Sequence, residues 1–380
     1  MKVLVTSTPG LGHVLPMIPV AGELRARGHE VRWLGGQVAA GDIEARGIPV
    51  QPAGMSEAER QAELARRYPG PPPGPKADWQ VWAFPKVFAE IAAPAMLEPV
   101  RSAVDAWAPD VVLHDAAELA APLAAATAGV PSACHGFGQL VPEVAVRAAA
   151  DVLAPTWRGA GLSPDRYAGS YRGLYVDIYP PSLATTRSTH VPRVQRSRPA
   201  EGSAASGTTA YVTFGTLFNH DVDLLRATVL AAASVAEHVV VTIGRDRDPS
   251  SIGPTPDNVQ VEPFVVQADL LPHCATVICH GGSGTVLAAL AHAVPVVCIP
   301  QGADQFANAA NVSRLGAGVA LDAADADRSV LAGAIEHSLQ APGPREAAAA
   351  LAREIQAMPG VAAVASTIEE LVAGQPASSR

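Results

Sequence analysis

ATVICHGGSGTVLAAL, residues 275–290, runs from an apolar β-branched stretch through paired glycines into a helical one. A strand ending at Cys279, a tight turn at Gly281 and Gly282, and a helix opening at Ser283, Gly284 and Thr285 would turn unpaired N–H groups and the positive end of the helix dipole outward. That geometry binds phosphate, and His280 at the carboxyl end of the strand would add a donor or a positive charge to the same anion. The motif also fits an ordinary glycine-rich turn with a Ser/Thr cap, so its neighbours must decide.

The next strand, VPVVCIPQGADQFANAAN (294–311), delivers Asp304 and Gln305 to its carboxyl edge and Asn308 one helical turn later on the same face. A carboxylate and an amide beside a phosphate pocket suit sugar hydroxyls, since Asp accepts from two of them and Gln both donates and accepts. Asp304 also reads as a helix N-cap. Upstream, Phe264 in VEPFVVQADLL (261–271) follows a short strand and precedes backbone that would read a base edge; taken alone it reads as core packing.

Farther out, strand-like and helix-like runs alternate along the whole chain. KVLVTS, a helix from about Pro16 to Arg27, EVRWLGG, DVVLHD, an Ala-rich helix and VPSACHG form one series. After a polar, small-residue stretch, QRSRPAEGSAASGT (195–208), read as a linker, a second series begins at TAYVTFGT and has helices from about Asp221, Ser283 and Asp304. Each series predicts a parallel sheet with crossover helices, an α/β fold of two doubly wound domains. The proline-rich RRYPGPPPGPKADW (66–79) and the stretch from Val141 to Arg166 are expected to be irregular loops.

At 380 residues two domains are expected. The net charge of −9, from 27 Lys+Arg against 36 Asp+Glu, offers no basic surface for nucleic acid or an acidic membrane, so a small ligand is the expected partner. The sequence is 48% hydrophobic, yet no uninterrupted apolar window of about 18 residues suggests stable membrane insertion. Cys134, Cys274, Cys279 and Cys298 sit in apolar runs without paired spacing, and nothing at the amino terminus resembles a signal peptide, so a cytoplasmic location is expected. HCATVICH (273–280) invites a zinc reading, but Cys274 and Cys279 on one strand face unlike directions, and no metal is expected.

The order TFGT (213–216), EPFVVQADLL (262–271), HGGSGT (280–285) and PQGADQFANA (300–309) resembles the nucleotide-sugar half of inverting GT-B glycosyltransferases of family 1. More narrowly, the chain resembles the bacterial enzymes that attach deoxysugars to macrolides, enediynes and aromatic polyketides. The resemblance spans almost the whole chain. It implies two Rossmann-like domains facing a central cleft: an acceptor domain over 1–200, a nucleotide-sugar domain over 207–358, and a last helix over 359–374 returning to the first domain. It implies that Phe264 stacks on the base, Val265 bonds it through its backbone, and His280, Gly282, Ser283, Gly284 and Thr285 hold the diphosphate. Asp304 and Gln305 would face the sugar, with Asn308 and Thr216 near the phosphates. Where many relatives carry Trp and Pro, this chain has Phe264 and Val266. The partners implied are a dTDP- or UDP-sugar, with thymidine preferred by analogy, and a small-molecule aglycone; a homodimer is left open.

TPGLGH (8–13) takes its meaning from the same resemblance. A dinucleotide fingerprint would need a third glycine near Leu15 and an acid ending the second strand, but EVRWLGG ends in Gly35 and Gly36. The resemblance makes His13 the general base and Asp115 its orienting carboxylate, a division of labour known from serine-protease triads. On residue type alone His13 also reads as a loop histidine bonding its backbone, and Asp115 as an N-cap for AAELAAPLAAA. His114 alternates to the other side of its strand. Gly12 and the aromatics Trp79, Trp82, Phe84 and Phe88 are candidates for the acceptor side, the aromatics reading equally as a helix packed on its own domain. Two other readings stay open here: a GT-B-fold sugar-nucleotide 2-epimerase, and a non-catalytic partner of another glycosyltransferase.

Overall fold

Lys2–Ser7 (β1) has no solvent face: Val3, Val5 and Thr6 are fully buried and Leu4 is nearly so. A strand buried on both sides belongs in the middle of a parallel sheet covered by helices. The computed structural model, which describes residues 1–215, 221–245 and 247–374, places it there. The other strands of its sheet are β2 (Glu30–Gly35), β3 (Val50–Gln51), β4 (Val111–Asp115), β5 (Ser132–His135), β6 (Leu174–Asp177) and β7 (Val194–Arg196), in the order β3-β2-β1-β4-β5-β6-β7. Every pairing is parallel, with Val5 in register with Trp33 on one side and Leu113 on the other.

The second sheet is built from β8 (Thr209–Thr213), β9 (His238–Thr242), β10 (Val259–Glu262), β11 (Cys274–Cys279), β12 (Val296–Cys298) and β13 (Gly318–Ala320). Its order is β10-β9-β8-β11-β12-β13, again all parallel. Both units are therefore doubly wound Rossmann-like α/β structures. In each, the chain runs one way from a central strand and then returns to build the other side. That reversal opens a crevice at the carboxyl ends of the two central strands, where such sheets bind ligands. The crevice lies between β1 and β4 in the first unit and between β8 and β11 in the second.

Residues 1–179, 186–197 and the segment from Pro359 form the first unit; residues 180–185 and 198–358 form the second. The last helix, Val361–Ala373, buries Val364, Ala365, Ile368 and Leu371 as part of the first unit. Among the described residues no helix is long and apolar enough to cross a membrane.

One local expectation, for residues 141–166, is corrected. The stretch 195–208, read as a linker, contains the boundary between the two units, which falls after Ser197. Its start completes β7, and Ala205 and Ser206 donate backbone hydrogen bonds to the carbonyls of His292 and Pro272. Gly207 passes so close to His273 that a Cβ would meet the His273 carbonyl oxygen at 1.9 Å, so the small residues there serve close packing. The stretch from Val141 to Arg166 contains the helix Glu143–Gly159, whose buried stripe is Ala145, Val146, Ala149, Ala150, Leu153 and Trp157. Alanines carry half of that stripe, which weakens its apolar signal without weakening its packing.

Candidate active site

The loop after β1 is shaped by Gly10, at φ 130°, a backbone conformation open to glycine. It starts the short helix Leu11–Val14, on which His13 projects with its side chain 16% exposed. A Cβ on Gly10 would lie 3.3 Å from His13 Cδ2, so this glycine also makes room for the ring. Gly12 is exposed and a Cβ there would meet nothing within 4 Å. Of the two, Gly10 is the one the mount requires.

Asp115 closes β4, the strand paired with β1, so the crevice brings the two side chains together: His13 Nδ1 lies 3.1 Å from Asp115 Oδ1. The carboxylate is fully buried and well satisfied. Thr8 donates to Oδ2 from its N–H at 2.6 Å and its hydroxyl at 3.1 Å, and the Ala117 N–H donates to Oδ1 at 2.7 Å. Burial alone would raise its pKa; the His13 ring and these N–H groups outweigh that and hold the carboxyl below its ordinary value. The Asp115 side chain does not cap the following helix, Ala121–Ala128. That task falls to Glu118, whose carboxylate accepts from the N–H groups of Ala120 and Ala121 and from the Thr6 hydroxyl.

Glu118 is nearly fully buried, and burial with the nearby Asp115 charge pushes its pKa up to about 7. It shares a small cavity wall with Thr8, Arg60 and Met96. The sequence does not mark it out, because an acid shortly before an apolar helix reads as ordinary capping. His114 is buried on the strand's other side, its Nδ1 3.0 Å from the Asp115 carbonyl.

Two phenylalanines flank the His13 ring: Phe137, with centroids 4.4 Å apart, and Phe88, 5.6 Å away on the π-helical stretch Pro85–Ala92. Phe137 is an addition to the expected site, since its loop after β5 carries no periodic signal. Phe84 is corrected: it is 2% exposed, packed on Phe88 at 5.2 Å, and belongs to the core. Trp79 and Trp82 are half-buried, Trp82 lying edge-on to Tyr68 at 5.5 Å.

In the second unit β11 ends at Cys279 and the helix Ser283–Ala291 begins after Gly282 with no side chain capping it. Gly284 is exposed, with open space where a Cβ would be, so the first turn can be approached closely. The His280 ring is held between two glycines: a Cβ on Gly215 would fall 2.7 Å from Cε1, and one on Gly282 would fall 2.5 Å from Nε2. Burial pushes the His280 pKa down to about 4, so at neutral pH the ring offers a hydrogen bond and no charge. Thr216, another predicted phosphate neighbour, lies outside the described residues.

Asp304 precedes the helix Gln305–Arg314 without capping it by its side chain. Its Oδ2 instead accepts from the Ser283 hydroxyl at 2.7 Å and from Asn308 Nδ2 at 3.0 Å. Asn308 is fully buried, and its amide also donates to the Gly281 carbonyl at 2.9 Å. It therefore clamps the β11 loop to the β12 loop and does not present itself to phosphate. Gln305, 2% exposed, turns its carbonyl oxygen back onto the N–H groups of Gln301 and Gly302. Thr285 accepts from Gln267 at 3.3 Å, while Phe264 stands 43% exposed beside the half-buried Val265.

The carboxyl-terminal domain of the erythromycin biosynthesis protein CIII-like family matches residues 226–371, and its amino-terminal domain matches residues 81–203. The elloramycin glycosyltransferase ElmGT of Streptomyces olivaceus is 33% identical over 391 residues, covering 97% of each chain. The L-demethylnoviosyl transferase of Streptomyces niveus is 31% identical over 354 residues, covering 84% of this chain and 85% of its own. The crystal structure of the glycosyltransferase SnogD from Streptomyces nogalater shares the fold at a TM-score of 0.78 and 27% identity, covering 98% of this chain and 100% of that one.

Proposed function

The chain belongs to the erythromycin biosynthesis protein CIII-like family of natural-product glycosyltransferases, and from that membership we propose an inverting, metal-independent transfer of a deoxysugar from a thymidine diphosphate donor to a hydroxyl of a hydrophobic aglycone. The observation that carries the proposal is the His13–Asp115 pair. An ionised Asp115 only accepts, so it fixes the His13 proton on Nδ1 and leaves the Nε2 lone pair for the acceptor hydroxyl. As the acceptor oxygen attacks the anomeric carbon, His13 takes its proton, the bond to the diphosphate breaks, and Asp115 stabilises the imidazolium. One displacement inverts the anomeric centre.

The leaving diphosphate gains charge as that bond lengthens. The uncapped amino-terminal turn at Ser283–Thr285 supports it with N–H donors and a positive dipole end, and neutral His280 adds a hydrogen bond, a role for which no metal ion is required. Phe88 and Phe137 give the base an apolar, aromatic surround that suits a large flat or macrocyclic aglycone and has no use in a sugar-nucleotide epimerase. We assign the reaction to the cytoplasm, where nucleotide sugars are made. Incubating the protein with a panel of dTDP- and UDP-sugars and hydroxylated aglycones, then reading the anomeric configuration of any glycoside by proton NMR, tests the reading. A glycoside of opposite configuration to its donor supports it; retention, or epimerised donor without glycoside, contradicts it.

A further inference from the structure

The guanidinium of Arg245 lies 3.5 Å over the centroid of the Phe264 ring. That contact is built by the backbone. The pairing of β9 with β10 continues beyond both strands, the Ile243 N–H donating to the Glu262 carbonyl at 3.2 Å and the Gly244 N–H to the Pro263 carbonyl at 3.1 Å. Gly244, at φ 105°, then bends the chain so that the next residue comes over the ring. Phe264 and Val266 are both exposed apolar residues on this edge, 43% and 55%, while their sheet packs on its own core.

Sheet order gives the distance to the phosphate loop. From β10 through β9 and β8 to β11 is three strand spacings, about 14 Å, and from β9 to β11 two, about 10 Å. Arg245 follows β9, and β9 lies between β10, which leads to Phe264, and β11, which leads to Ser283, along the row a nucleoside diphosphate would span. Charge along that row is otherwise unfavourable for a diphosphate. His280 is neutral, Asp304 is a carboxylate bonded to Ser283, and a helix end supplies only about half a charge. The loop after β9 supplies a full positive charge at this edge in Arg245, held on the Phe264 ring.

We propose that Arg245 reads the diphosphate of the donor: base and guanidinium compete for the Phe264 ring, and the displaced cation pairs with the phosphates. The inference rests on the donor site proposed above and adds to it a residue that distinguishes nucleoside from nucleoside diphosphate. A planar guanidinium suits both halves of the exchange, since it stacks on an aromatic face and forks onto phosphate oxygens.

Isothermal titration of wild type, Arg245→Ala and Arg245→Lys with dTDP and with thymidine tests it. In Arg245→Ala, dTDP should bind about tenfold more weakly while thymidine binds as well or better, because a charge-assisted pair is lost and a competitor for the ring is removed. Arg245→Lys should recover part of the dTDP loss, and the salt dependence of dTDP binding should flatten in the alanine variant. An unchanged dTDP affinity in Arg245→Ala, or an equal loss for thymidine and dTDP, would overturn the inference. Wild-type protein that does not bind dTDP would overturn the donor reading and this inference together, so the two failures are told apart by the wild-type titration alone.

Discussion

An ionised Asp115 accepts and cannot donate, which is why it orients the His13 ring. Asp115→Asn replaces an acceptor with a group that can donate, so it permits the opposite tautomer and should lower turnover by about 10²-fold or more. Donor affinity, measured by titration with dTDP, should be unchanged; a variant with ordinary turnover would show that the pair only packs. Glu118 gives a second test at this scale. Its pKa is about 7 in the folded chain against an ordinary 4.5, so between those values the folded state holds a proton that the unfolded state has released. Its contribution to stability is therefore lost as pH rises from about 4.5 to about 7. Glu118→Gln keeps an acceptor for the helix N–H groups and removes the titration. Melting temperatures at pH 5 and pH 7.5 should differ less in the variant than in wild type, and equal differences would contradict the assignment.

At the scale of elements, the β11 loop is held by what packs around it. Gly282 has φ −63°, a conformation open to alanine, so Gly282→Ala strains only the contact with His280 Nε2 at 2.5 Å. Overpacking of this kind costs about 1–3 kcal/mol, so the melting temperature should fall by several degrees, and dTDP binding should weaken about tenfold. Wild-type affinity would mean that the ring can move aside freely. Much of this element is legible in the amino-acid sequence: the β-branched run, the glycines, and the Ser and Thr opening a helix each have one local reading, and the readings agree. The clamp at Asn308 is not legible there, because the helical period sets it on one face with Asp304 without showing that both turn inward to Ser283 and Gly281. Glu118 and Phe137 are hidden as well. Phe137 reaches the His13 ring from the loop after the neighbouring strand β5, and strand order is a long-range fact that local patterns do not contain. Glu118 reads locally as a helix cap, and its burial beside Asp115 shows only in the fold.

For the whole molecule, two sheets of the same design carry different chemistry at their reversal points. The His13–Asp115 pair sits between β1 and β4, and a helix end and a neutral imidazole sit between β8 and β11. The alternation of strands and helices in the sequence shows both sheets, and the family resemblance implies the return of the last helix to the first unit; that residues 180–185 join the second unit depends on packing and is not legible there. That helix is held chiefly by Val364, Ala365, Ile368 and Leu371, each large apolar side chain worth about 1.5–3 kcal/mol on burial. The exposed Arg27–Glu369 pair adds little by comparison. A chain ending at Met358 should therefore melt at a lower temperature while its second unit still binds dTDP; loss of dTDP binding would show that the units are not independent. Wild type and His13→Ala, given the same dTDP-deoxysugar and aglycone, should bind dTDP equally, with the variant forming glycoside about 10²-fold more slowly or worse; near-normal glycoside formation by His13→Ala would contradict the account.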